Sequence, residues 1–290
     1  MRLRDRLVRT NFTRIVEVFP PSFNTEKKLE PLIGLKQKSR DFVERVRRIQ
    51  NLADAILIAD VKDLGRLKLS TVFSAALLKE ELGLEAVPVI TARDSNRPAT
   101  RSAILTAFSY GLDTMMLVWG DRYPSDGGAR NVYDYRNLAE LISEAASLAK
   151  RSGVDATLLA PVDISRLNSQ KGRQLARERL TSGASYLLAQ PPTTDSFSTL
   201  DLHTRALKKQ ALGSKVLLNV FPFKSREDVD HCREKFGWDL PHELETLAKG
   251  GESELLKEAR RVALGITDSG APGVYVSTRG RPELARYILD

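Results

Sequence analysis

The residues able to do chemistry in this chain stand at the ends of short apolar runs: Glu17, Asp60, Arg93, Asp94, Asp121, Asp163, Gln190, Lys224 and Arg279. Glu17 lies inside TRIVEVF, beside Phe19 and Pro20-Pro21. Such a carboxyl loses hydration, and burial raises a carboxyl pKa. A carboxyl that is neutral near neutral pH is what a general acid requires. The same placement also suits a buried ion pair, with Arg93 as the expected partner. Asp121 follows the run MMLVWG, and a carboxylate just past a buried strand sits where parallel α/β proteins keep their chemistry. Gln190, between SYLLA and Pro191-Pro192, both donates and accepts, which suits the edge of a heterocycle or the cap of the next helix. Phe221-Pro222-Phe223 offers either a stacking face to a flat ligand or plain packing. Lys224, Arg226, Arg279 and Arg281 follow such tips, placed either to meet carboxylates or to end in solvent.

The runs that carry these residues read as strands. They are Thr13–Phe19, Asp54–Ala59, Ala86–Thr91, Met115–Trp119, Ala156–Pro161, Ser185–Ala189, Val216–Val220 and Gly273–Thr278, short and bounded by turn residues. Helical patterns alternate with them: 39–51, 71–82, 99–110, 135–151, 170–181, 196–212, 227–235 with 241–264, and 282–289. Ser70 is placed to cap the second of these and Gly83 to close it. A Gly-rich loop, 125–130, precedes the fourth. Eight strands alternating with helical connections predict a closed (β/α)8 barrel, residues 1–290 forming a single domain. An open doubly wound sheet is the alternative, but no GxGxxG pattern follows the first strand.

Composition narrows the partners. The chain has 290 residues, 42% hydrophobic and 28% charged, with a net charge of +8, ordinary for a globular protein. Acids interleave with the bases along the helices, which reads as a solvated surface and predicts no nucleic-acid partner. No apolar run is long enough to span a membrane, and the Arg-containing start lacks a signal-peptide core, so a cytoplasmic protein is expected. The lone Cys232 excludes an internal disulfide. His203, His231 and His242 lack zinc-site spacing, so no metal is expected.

Several segments together resemble the methylenetetrahydrofolate reductase family. VEVFPPSFN is similar to its Glu-x-Phe-Pro-Pro opening, and ITARDSN to its Thr-containing third tip. DTMMLVWGDRYP matches a fourth strand ending in Gly-Asp, and LTSGASYLLAQPP a Gly-Ala before a strand ending in Gln. FGWDLPHELETLA and GVYVSTRGR extend the likeness toward the end of the chain. The resemblance implies reduction of 5,10-methylenetetrahydrofolate to 5-methyltetrahydrofolate, a step toward methionine biosynthesis. Glu17 would be the general acid, and Asp121 would stabilise the cation formed. Gln190 would orient the pterin, Phe223 would stack, and Lys224 and Arg279 would meet the folate's carboxylates.

The family's cofactor is FAD, and the positions expected to hold it here are Thr91, Trp119, Gly120, Asp121, Asp163 and Arg179. Three of the family's flavin features differ. Trp119 stands where flavin-containing members have Arg, and 160–165, APVDIS, replaces Tyr-Pro-Glu-x-His-Pro. Ser277 stands where the eighth strand is expected to carry Tyr. Trp119 is also bulky enough to fill space a flavin ring would occupy. Weak FAD retention, or none, is therefore expected, with NADH or NADPH supplying the hydride. The resemblance leaves open a homo-oligomer or a partner electron-transfer subunit. A folate-dependent one-carbon or methyl transferase, or a non-catalytic folate-binding subunit, are the rival readings.

Overall fold

The computed structural model describes residues 3–9, 12–24, 32–60, 66–122, 131–190, 212–238, 240 and 242–290. The 196–212 helix (all but Leu212), the 125–130 loop and Pro191-Pro192 lie outside them. Eight parallel strands close into a barrel: β1 (Thr13–Val18), β3 (Ala55–Ile58), β5 (Ala86–Thr91), β6 (Thr114–Val118), β7 (Thr157–Asp163), β8 (Tyr186–Gln190), β9 (Val216–Val220) and β10 (Gly273–Val276). Each strand pairs with the next around the ring, and β10 returns to β1 with Ile15 opposite Tyr275. The chain is therefore the (β/α)8 barrel its strand pattern predicts.

Two layers of apolar side chains explain why these runs are strands. Ile15, Leu57, Val89, Met116, Leu159, Leu188 and Leu217 fill the lumen, all buried. Their neighbours of opposite parity, such as Val16, Ile56, Ile90, Leu117, Ala160 and Leu218, face the helices in a separate outer core. Side chains alternate along a strand, so both faces are apolar and the runs are continuous rather than alternating. Each fully buried Leu, Ile or Val contributes on the order of 1.5–3 kcal/mol.

The connecting helices are α2 (Leu32–Arg47), α3 (Thr71–Leu82), α4 (Arg97–Ser109), α5 (Leu138–Arg151), α6 (Gln170–Thr181), α7 (Arg226–Phe236), α8 (Glu243–Lys249), α9 (Glu252–Asp268) and α10 (Leu284–Leu289). In α5, Leu138, Leu141, Ile142, Ala145, Leu148 and Ala149 share the buried face, the spacing of an amphipathic helix. Asn137 Oδ1 caps that helix by accepting from Glu140 N at 2.9 Å. Among the described residues no helix is long and apolar enough to cross a membrane.

Four features depart from the sequence reading. α2 begins at Leu32 rather than 39, its apolar first turn, Leu32-Ile33-Gly34-Leu35, being cut off from the later apolar face by the polar stretch 36–41. The stretch 241–264 divides into α8 and α9 at Gly250-Gly251, Gly251 having φ 82°, a conformation that favours glycine. Two three-residue strands, β2 (Ser22–Asn24) and β4 (Arg66–Lys68), pair antiparallel beside the barrel mouth, too short to give a pattern. The helix α1 (Leu3–Val8) carries Leu3 and Leu7 into the lumen cluster. Arg4 pairs with Asp155, and Arg6 with Asp54 at 2.7 Å, so α1 closes the N-terminal end of the barrel.

Candidate active site

Parity along the strands decides which polar residues share the C-terminal mouth. Ile15, Val89, Leu188, Leu217 and Tyr275 belong to the lumen cluster. Two residues further on, Glu17, Thr91, Gln190, Asn219 and Ser277 stand on the same face, one layer nearer the mouth. Glu17, Thr91 and Gln190 are thereby brought to one end of one barrel. Gln190 is exposed and sits in register with Asp163.

Glu17 has the most developed surroundings. The Tyr275 hydroxyl donates to Glu17 Oε2, and the Arg279 backbone N–H also reaches the carboxyl. The Glu17 carbonyl accepts from Thr278 Oγ1 at 2.6 Å. Glu17 keeps some surface open to the lumen, but the barrel wall keeps most water from it. Burial is the largest influence and pushes its carboxyl from 4.5 up to about 7; Tyr275 and Arg279 pull the other way without overcoming it. The Tyr275 phenol is pushed well above its ordinary range, by burial first and the Glu17 charge second. Arg279 has φ 56°, one of two non-glycine residues with positive φ among those described. That conformation costs roughly 1–2 kcal/mol and accompanies the turn of its N–H toward Glu17.

The alternative reading of Glu17, an ion pair with Arg93, is not the arrangement that forms. Arg93, 4% exposed, pairs with Asp94 instead, Nε to Oδ2 at 3.0 Å. Asp94 is the other such non-glycine residue, with φ 63°. Tyr275 is the site residue the sequence reading passed over. A tyrosine in an apolar run reads as core, and only the β1–β10 register sets it beside Glu17.

The neighbouring wall is arranged differently. Thr91 donates to Asp60 Oδ2 at 2.6 Å. Gly120 has φ 88°, and a Cβ there would stand 2.5 Å from Thr91 Cγ2, so only glycine fits between these strand tips. Its carbonyl accepts from Tyr133 Oη at 3.2 Å. Asp121 is exposed just beyond. The Trp119 ring, bulky enough to fill space a flavin would occupy, is turned away from the lumen. It packs against the outer core and stacks on Tyr133, with centroids 4.6 Å apart and planes at 8°. Asp163 accepts from Ser165 N at 3.1 Å and Ser165 Oγ at 2.6 Å, and pairs with Arg166 at 2.9 Å. Half-buried Arg179 donates to the Pro161 carbonyl, and burial lowers its pKa.

Phe223 offers no stacking face. It is 2% exposed, packed with Val229, Cys232, Leu240, Leu244 and Leu255 in a satellite core under α7, α8 and α9. The partly buried ring is Phe221, with Trp238 edge-on at 5.3 Å and the Arg279 guanidinium 5.0 Å from its centroid. Phe221 lies one residue past the C-terminal end of β9, half-buried, with part of its surface against the same satellite core. Arg279 pairs with Asp228, and Lys224 is exposed, its backbone N donating to Asp228 Oδ2 at 3.0 Å. Ser277, where the family is expected to carry Tyr, is buried and bonded to Asn219, and Tyr275 lies two residues earlier on the same face. Among the described residues no group of His, Cys, Asp and Glu is arranged to hold a metal ion.

Comparison with known proteins adds the following. The family model described as methylenetetrahydrofolate reductase matches residues 2–261, stopping short of β10. No curated protein matches the sequence. Among solved structures, a protein from Clostridium thermocellum described as binding two copies of 5-methyl-5,6,7,8-tetrahydrofolic acid is similar over 99% of this chain and 97% of its own, at 15% identity and TM-score 0.63. An oxaloacetate acetylhydrolase bound to oxalate aligns over 98% of this chain and 82% of its own, at 12% identity and TM-score 0.55. A 2,3-dimethylmalate lyase aligns over 95% and 80%, at 10% identity and TM-score 0.54. At these identities the likeness is one of fold.

Proposed function

The chain belongs to the methylenetetrahydrofolate reductase family, and from that premise we propose that it reduces 5,10-methylenetetrahydrofolate to 5-methyltetrahydrofolate, with Glu17 as the general acid and the whole chain serving as one barrel domain. The observation that carries this reading is the Glu17 carboxyl. It is held inside the mouth by Tyr275 and Arg279 and pushed up to about 7, so that a substantial fraction is protonated at neutral pH.

The chemistry balances as follows. Glu17 gives its proton to the bridging nitrogen of the folate, and that nitrogen takes the electron pair of the breaking carbon–nitrogen bond. The remaining nitrogen holds the methylene as an iminium cation. Asp121, at the tip of β6, faces this positive charge electrostatically. A hydride from NADH or NADPH, bound as a second substrate, then converts the methylene to methyl. Gln190 offers both a donor and an acceptor to the pterin edge, and Phe221 replaces Phe223 as the ring that stacks. That the Clostridium protein binds a methylated tetrahydrofolate supports a folate as the substrate class.

Flavin is the family's usual cofactor, and its fit can be judged from the donor set. A flavin dinucleotide needs cationic and N–H donors turned toward it. Among the positions compared, Trp119 is turned outward and Asp163 is engaged with Ser165 and Arg166. Arg179 is committed to a backbone carbonyl. These residues do not fit a flavin held in the family manner, and no step is assigned to one. Losing charged donors of this kind costs about 1.5–3 kcal/mol, roughly ten- to more than a hundredfold in affinity. Titrating FAD into the protein and following flavin fluorescence should show only weak binding. Tight stoichiometric uptake would overturn this part of the reading.

The reaction itself is tested anaerobically, by mixing the protein with methylenetetrahydrofolate and NADH or NADPH, with and without FAD. Nicotinamide oxidation matched by methyltetrahydrofolate is expected without added FAD. Folate binding without nicotinamide oxidation would favour a one-carbon transferase or a binding subunit instead.

A further inference from the structure

The proposed acid has two oxygens in different surroundings, and the difference is built by a strand 258 positions away in sequence. Oε2 accepts from the buried Tyr275 hydroxyl. Tyr275 is only 4% exposed, and its ring is packed in the lumen cluster. Its hydroxyl is flanked by Ser277, whose Oγ donates to Asn219 Oδ1 at 3.2 Å. Asn219 and Ser277 are also buried, at 1% and 6% exposure. A polar chain thus runs from β9 through β10 to β1, inside an otherwise apolar barrel. Buried polar groups are costly unless bonded, so three of them sharing partners make a constructed feature rather than a packing remnant.

We propose that Tyr275 is the positioning residue for Glu17: it anchors Oε2, so that the acid proton is carried on the other oxygen, Oε1, and is aimed at the substrate nitrogen. This rests on Glu17 being the acid. Rotation of the carboxyl about its last torsion is soft, and without an anchor the proton spends its time on either oxygen and in several directions. The other groups that face Glu17 do not supply this anchor. The Arg279 N–H reaches the carboxyl from a backbone turn rather than from a packed ring, and its guanidinium is drawn to Asp228. On the opposite side β3 presents apolar Leu57 in register with Glu17, and Asp60 at that strand's tip is engaged by Thr91.

The test is Tyr275→Phe, which keeps the ring and removes the donor. Two readouts are taken. The Glu17 carboxyl is titrated directly by NMR of protein labelled with 13C at the glutamate carboxyls, its signal assigned by its loss in Glu17→Gln. Removing a bond that favours the charged form should move the midpoint upward by about one pH unit. In turnover, kcat should fall roughly tenfold or more with KM little changed, and the limb of the pH profile assigned to Glu17 should move upward with the midpoint. Ser277→Ala should move both readouts the same way by less. A Tyr275→Phe protein with the wild-type midpoint, or with wild-type kcat, overturns the proposal. If wild-type protein turns over no folate while the midpoint still shifts, the anchor stands and the reductase reading falls.

Discussion

The two walls of the barrel mouth spend their polar groups in opposite ways. Along β10 and β1, Tyr275 and the Arg279 backbone converge on a single carboxyl, with Ser277 behind Tyr275. Along β6 and β7, the polar groups satisfy one another. Asp163 is closed by Ser165 and Arg166, Arg179 by Pro161, and Trp119 is turned away onto Tyr133. A wall that directs its bonds at one titratable group tunes that group, whereas a wall that pairs internally only holds its loops. On the reading proposed above, the proton chemistry belongs to the first wall, and the second is where a flavin held in the family manner would need donors that are committed elsewhere.

The largest effect expected from this contrast is on Glu17→Gln. It keeps shape and most hydrogen bonding but carries no transferable proton, so folate-dependent nicotinamide oxidation should fall by about 100- to 10,000-fold. Near-normal turnover would move the acid to another wall. The same substitution sharpens the contrast through stability. Glu17 titrates near 7 in the folded protein against 4.5 as its ordinary value. The native state therefore binds more protons between those limits, and stability falls as pH rises through them. Glu17→Gln should gain on the wild type by up to about 3 kcal/mol between pH 4 and pH 8, read from urea unfolding midpoints. A difference independent of pH would mean that the carboxyl is not tuned.

The other wall should respond less. Asp121→Asn removes a charge from an exposed strand tip and should lower kcat roughly 10- to 100-fold if it faces the iminium. A loss as large as that of Glu17→Gln would erase the division of labour. Asp163→Asn should do least. Its ion pair with Arg166 is well exposed, and such pairs contribute about 0–1 kcal/mol. Turnover within about twofold of wild type is expected, and a collapse would show that the β7 tip takes part after all.

How far the site could be read beforehand follows from the distance over which each signal acts. The strands were legible because their apolar runs are local, and Ser70 and Gly83 marked α3 because caps are local too. Glu17 announced itself as an acid where hydration is lost. Tyr275 did not, because its role depends on β10 closing against β1, a pairing that no window of sequence contains. Phe221 and Phe223 differ by two positions and point the same way along an extended chain, but β9 ends at Val220, and past it the chain turns Phe223 into the satellite core. Trp119 was misplaced for a related reason: it lies one residue beyond β6, where parity set it outward on Tyr133.

The pairing of Glu17 with Tyr275 also has a kinetic consequence. These residues are separated by nearly the full chain, so their contact forms only when the ring of strands closes. Closing so long a loop is entropically unfavourable, and folds dominated by distant pairings form slowly. Until then β1 is an edge strand in water, and its carboxyl is an ordinary one, ionised at neutral pH. On the proposed reading the acid is a product of the final closure, so refolding protein should regain its helical signal before it regains turnover.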